Sequence, residues 1–228
     1  MNNIDKNFHI NFSPLYAIVA VMFLMFVASE LKADTQAKLG GTFVNINESA
    51  IFTASIDNKW ETDLWQGTFE ADYAYKREEA GETLNKFNTN GKLIKDLTSK
   101  HYAIAVASYD YDKFRTNNDR IVSGIGHGYK ILRTERSKAS IENSIAYLKS
   151  NGNNEPIIRS SLWYNFKMTD SITFNNKFLW ESGDDDYMRN ETSFDYNLTD
   201  NVTVGIKNVY TKDPVEYSIF NITLGVKF

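Results

Sequence analysis

The last nine residues, Phe220 to Phe228, alternate without a break: Phe220, Ile222, Leu224, Val226 and Phe228 are apolar, and Asn221, Thr223, Gly225 and Lys227 stand between them. Period-two alternation predicts a strand with one apolar and one polar face. The same pattern recurs along the chain in short runs closed by turn residues. It predicts twelve strands, at about 37–46, 50–58, 64–76, 83–95, 101–113, 120–132, 138–148, 157–167, 171–181, 187–198, 202–211 and 217–228. Residues 37–228 then supply about sixteen per strand and turn, close to the 9–11 of a membrane-crossing strand plus a short connection. One open sheet of twelve strands would leave two edges, and closure removes them.

The connections fall into two classes. Thr-Asp or Thr-Ser turns at 94–100, 164–173 and 195–203 each join an even strand to the next odd one. The other set is longer and more acidic: Glu78–Glu82, Thr116–Asp119, Lys149–Asn154 and Ser182–Asp186. Tight turns at one end and polar loops at the other are the asymmetry of an up-and-down transmembrane barrel. The expected fold is therefore an all-β, twelve-stranded antiparallel transmembrane barrel.

Alternation also assigns faces. Trp65, Phe69, Tyr73, Leu162, Phe174, Trp180, Phe194 and Ile206 belong to the predicted lipid face, with aromatics gathered near run ends. The opposite face is charged. Lys86, Lys92, Arg159, Lys177, Arg189, Lys207 and Lys227 stand there against Glu70, Asp72, Glu142, Glu181, Glu191 and Asp195. A near-balanced set predicts ion pairs across a narrow lumen. Ala103, Ala105 and Ala107 alternate on one strand and Gly124, Gly126 and Gly128 on the next; facing inward they would leave room in the bore, facing outward a thin patch against lipid.

The amino-terminus adds export. Lys6 precedes the apolar run Leu15–Ala28, which suits the core of a secretory signal and is too short for a spanning helix. Cleavage after Ala33, or after Ser29, leaves residues 34–228 as the barrel, and the formal charge of −4 is unchanged by losing 1–33. That charge gives no electrostatic case for nucleic acid. Cysteine is absent, which removes disulfides and thiolate metal sites.

Several segments imitate chemistry. Gly124-Ile125-Gly126-His127-Gly128 lacks the Lys-Ser/Thr and the following helix that a phosphate loop needs. Asp184-Asp185-Asp186 offers oxygen ligands for calcium but reads first as a solvated loop. His127 and Ser123 share a strand face, with no orienting carboxylate beside them in sequence. No cofactor, metal or catalytic residue is assigned.

Gly126–Lys138, Trp180–Ser193 (with Glu181-Ser182-Gly183 and Arg189-Asn190-Glu191-Thr192-Ser193) and Leu198-Thr199-Asp200-Asn201 resemble the YdiY-like family of salt-induced outer-membrane proteins, a domain of unknown function. The resemblance implies a non-enzymatic outer-membrane barrel tied to salt or osmotic response. Expected partners are outer-membrane lipids, lipopolysaccharide and the barrel-assembly machinery. An outer-membrane hydrolase and a soluble periplasmic β-barrel or sandwich binding protein remain as alternatives.

Overall fold

A computed structural model describes residues 34–44, 49–61, 65–78, 81–114, 119–150, 153–183, 186–213 and 215–227. The proposed signal segment, Asp184-Asp185 and Phe228 lie outside them. The described residues form twelve strands: β1 (Asp34–Val44), β2 (Ser49–Glu61), β3 (Gln66–Glu78), β4 (Gly81–Asp96), β5 (His101–Asp112), β6 (Asp119–Arg133), β7 (Ser137–Ser150), β8 (Asn153–Lys167), β9 (Ile172–Ser182), β10 (Tyr187–Asn197), β11 (Val202–Asp213) and β12 (Val215–Lys227). Each pairs antiparallel with its sequence neighbours, and β12 returns to β1, so the sheet is a closed barrel.

The wall is built on alternation. On β12, Phe220, Ile222 and Leu224 are exposed on the outside, while Ile219, Asn221 and Thr223 are buried on the inside. On β7 the contrast is sharper: Ile145 is 74% exposed and its neighbour Ala146 only 4%. Among the described residues no helix lies against this apolar outer face.

One device builds the tight turns. The backbone N–H groups of His101, Ser137, Ile172 and Val202 donate to the hydroxyls of Thr98, Thr134, Thr169 and Thr199, three residues back, at 2.8–3.0 Å. A threonine hydroxyl substitutes here for a backbone acceptor and fixes the reversal. Thr134 was not among the predicted turns, because Arg133 precedes it where Leu97, Met168 and Leu198 precede the others.

Some boundaries move. β8 begins at Asn153, not 157, and so contains Pro156. β9 pairs with β8 only from Ile158 onward, so Pro156 meets β7 alone and its missing N–H costs the ladder nothing. The β1–β12 register runs from Gln36↔Lys227 to Gly41↔Ile222, lower on β1 than the Gly40–Phe43 pairing the alternation suggests. Tyr73 keeps the outer face that alternation gives it, in register with Ala54 and through it with exposed Leu39, although its side chain is buried there.

The alanine and glycine stretches point to opposite sides. Gly124, Gly126 and Gly128 share parity with buried Val122 and face inward, opposite Val106, Ile104 and Tyr102 of β5. Ala103, Ala105 and Ala107 face out. A Cβ on Gly128 would overlap the Tyr102 ring, so glycine there lets the phenol lie against the wall.

Candidate functional site: the charged bore

Charges inside the barrel meet across it. Glu70 and Asp72 on β3 face Lys177 on β9, Arg189 and Glu191 on β10 and Lys207 on β11, between a third and a half of the way around the ring. Lys177 contacts the Glu70 carboxylate. Arg189 Nη2 lies 3.4 Å from Asp72 Oδ2, and its Nε donates to Glu191 Oε1 at 2.7 Å. Lys207 Nζ stands 2.8 Å from Glu191 Oε2 and 3.5 Å from Asp72 Oδ1. Strand β3 is thus tied to the opposite wall by a continuous lattice of opposite charges.

A second group seals the wall of β6–β9. Arg120 contacts Glu181, whose other oxygen lies 3.4 Å from Arg159 Nη1. Arg159 reaches on to Ser108 Oγ at 3.2 Å and Asn90 Oδ1 at 3.3 Å. The Arg120 guanidinium sits 4.5 Å from the Tyr187 ring centre, a cation–π arrangement. Below it, Glu142 accepts from Lys92 at 2.7 Å, from the Tyr102 hydroxyl at 2.9 Å and from Ser161 at 3.0 Å. Lys86 pairs with Asp112 at 2.6 Å and Lys38 with Asp195 at 3.0 Å. Burying such charges singly would be prohibitive, and each stands beside its opposite.

The bore thus brings together Lys86, Lys92, Glu142, Arg159, Lys177, Glu181, Arg189, Glu191 and Lys207. Lys227 lines the bore at the tight-turn end. Sequence reasoning missed Lys38, Asp112 and Arg120. Arg120 adjoins the polar Thr116–Asp119 segment and so looks like loop, yet its even parity with Gly124 carries the signal for an inward position.

Two spaces remain. A cavity of about 670 Å³ runs from Gln36, Arg133 and Lys227 at the tight-turn end up to Glu181, Tyr187 and Arg189. A smaller one of about 70 Å³ lies beyond, bordered by Asp72, Lys86, Arg189 and Lys207. The Asp72–Arg189–Glu191–Lys207 lattice stands between them.

The tempting histidine lies elsewhere. His127 is on the outer wall of β6, its Nε2 3.0 Å from Nδ1 of His101 on the neighbouring strand β5. Among the described residues no group of three or more His, Cys, Asp or Glu is placed to hold a metal.

Solved barrels share this architecture. The NanC porin superposes with a TM-score of 0.57 at 11% identity, over 85% of this chain and 100% of its own. The KdgM porin gives 0.51 at 7% identity, over 86% and 99%. The COG4313 outer-membrane channel from Pseudomonas putida F1 gives 0.51 at 9%, over 86% and 95%. At such identities the likeness is one of fold: a porin-like barrel. No curated protein matches the sequence. A family model described as a protein of unknown function, DUF481, matches residues 46–216, and the chain belongs to that family, the YdiY-like group its motifs resemble.

Proposed function

We propose that the protein is an outer-membrane barrel whose bore is a narrow pore for small solutes, latched by its own ion pairs. The observation that carries this reading is the lattice from Glu70 and Asp72 to Lys177, Arg189, Glu191 and Lys207, which divides the bore into two spaces. Closure with no lipid-exposed edge and an apolar outer wall support the membrane location, as does the fold shared with porins. The lining supplies positioned charges, amides and hydroxyls, a polar surface suited to the passage of small solutes.

The latch also gives the salt link a physical form. Ion pairs bordering a water-filled space weaken as ionic strength rises. Raising salt loosens the lattice and widens the path. Planar-bilayer recording tests this: wild-type protein gives small steps whose conductance climbs faster than the bulk electrolyte, and Arg189→Ala gives larger steps with an ordinary salt dependence. Absence of steps from both proteins sinks the pore reading. Steps that scale with bulk conductivity in both sink the latch.

A further inference from the structure

The outer wall is apolar with one organised exception. Six consecutive strands each place a polar side chain outward at a similar height: His127 on β6, Asn143 on β7, Ser160 on β8, Asn176 on β9, Thr192 on β10 and Asn208 on β11. Each lies four to seven residues from the tight-turn end of its strand. Strand rise and barrel tilt put that at roughly 10–18 Å above those ends, inside an apolar band about 25 Å tall. Apolar residues flank the belt on both sides: Ile141 and Ile145 around Asn143, Ile206 and Tyr210 around Asn208. At the same height the opposite wall carries Leu39, Ala71, Ala105 and Ile222, with one hydroxyl, Thr89 on β4, and no amide.

The belt is partly satisfied within itself. Asn176 Nδ2 donates to Thr192 Oγ1 at 2.9 Å and to Asn190 Oδ1 at 3.0 Å. Ser160 donates to Asn143 Oδ1 at 2.8 Å, and Asn208 Nδ2 to Ser218 Oγ at 2.7 Å. Among the described residues, the Nδ2 of Asn143 and the Oδ1 atoms of Asn176 and Asn208 make no hydrogen bond. Amides with open donors and acceptors facing hydrocarbon are costly unless another polar surface meets them.

We infer that the outer wall of β6–β11 is an interface between two copies of this chain within the membrane. The inference rests on the membrane location proposed above. Copies related by a rotation about the membrane normal keep every residue at its own depth, so the belt of one necessarily meets the belt of the other. An amide is donor and acceptor at once, which makes such a belt complementary to itself. Lipid tails offer nothing at that depth, and amides gathered on one half of the circumference fit one partner better than a surrounding solvent.

The chain has no cysteine, so single thiols report cleanly. Asn176→Cys, at the centre of the belt on β9, oxidised in outer-membrane fractions, gives a disulfide-linked band at twice the monomer mass, and Leu39→Cys on the opposite wall gives none. The triple variant Asn143→Leu, Asn176→Leu, Asn208→Leu stays a heat-modifiable barrel and loses at least tenfold of its dimer in mild detergent. In heat-modifiable, membrane-bound samples, no linkage at 176, equal linkage at 39, linkage to a different protein, or an undiminished dimer in the triple variant overturns the inference. Extraction of the protein without detergent overturns the membrane location instead.

Discussion

The barrel carries two polar systems, one on each side of a single-layered wall, and they are built on different rules. Inside, the groups are charged and meet their partners across the bore: Glu70 on β3 meets Lys177 on β9. Outside, the belt groups are neutral and meet along adjacent strands: Asn176 on β9 meets Thr192 on β10. The bore holds a solvated space, and any charge there has an opposite wall to answer it. A group on the outer face has only its lateral neighbours, and a full charge at mid-height would have no counter-ion within reach. Side-chain parity therefore decides which kind of polarity a strand position tolerates, although the two positions are adjacent in sequence.

That contrast can be broken most forcefully at Glu181, which serves both Arg120 and Arg159. Removing one member of a buried charge set costs about 3–5 kcal/mol, so Glu181→Ala should lower the unfolding midpoint in urea more than any outer-wall change. Next comes the wall itself. Asn176→Arg puts a charge on the outer face at mid-height and should cost about 2–4 kcal/mol. Asn175→Arg, one residue earlier and facing the bore beside Asp195, should cost clearly less. Equal costs in the same folding assay would show that the two faces do not differ as described. Smaller still is the turn device: Thr199→Ala loses the hydrogen bond from Val202 and about 0.5–1.5 kcal/mol, read as the same midpoint shift.

The smallest effect is expected at the loop end. There Lys113 sits 2.6 Å from Glu82, and that hydrogen bond holds its ammonium above the usual lysine range. Because the folded pKa is raised, the contribution is complete at neutral pH and fades only as pH climbs beyond about 10, through the raised value. Exposure keeps it small, so Lys113→Ala should change stability by less than about 1 kcal/mol.

Strand number, connection parity and the inward face of the charged residues are legible in the sequence because alternation reports them directly. Glu70 and Lys177 each announce a polar face, though nothing local announces that they touch, 107 residues apart. Partner choice depends on which strands stand opposite, and that is a property of the closed ring. Arg120 was hidden by its polar neighbours, and Thr134 by Arg133. The opposed glycine and alanine rows illustrate a different limit. Each stretch shows its own period, but only the β5–β6 register, with Tyr102 beside Gly128, says which row looks inward. The outer belt needed three-dimensional height to be recognised, since its members are separated by loops of unequal length.

The closing seam has a mechanical consequence. Among the described residues β1 and β12 pair over Gln36–Gly41, whereas β7 pairs with β8 along Ser137–Ser150. The seam also carries glycines at 40, 41 and 225, which contribute no side chain to pack. A cylinder with one weak staple parts at that staple under load. Amide exchange should therefore begin along β1 and β12, and a pulling force should peel the wall open from the same line.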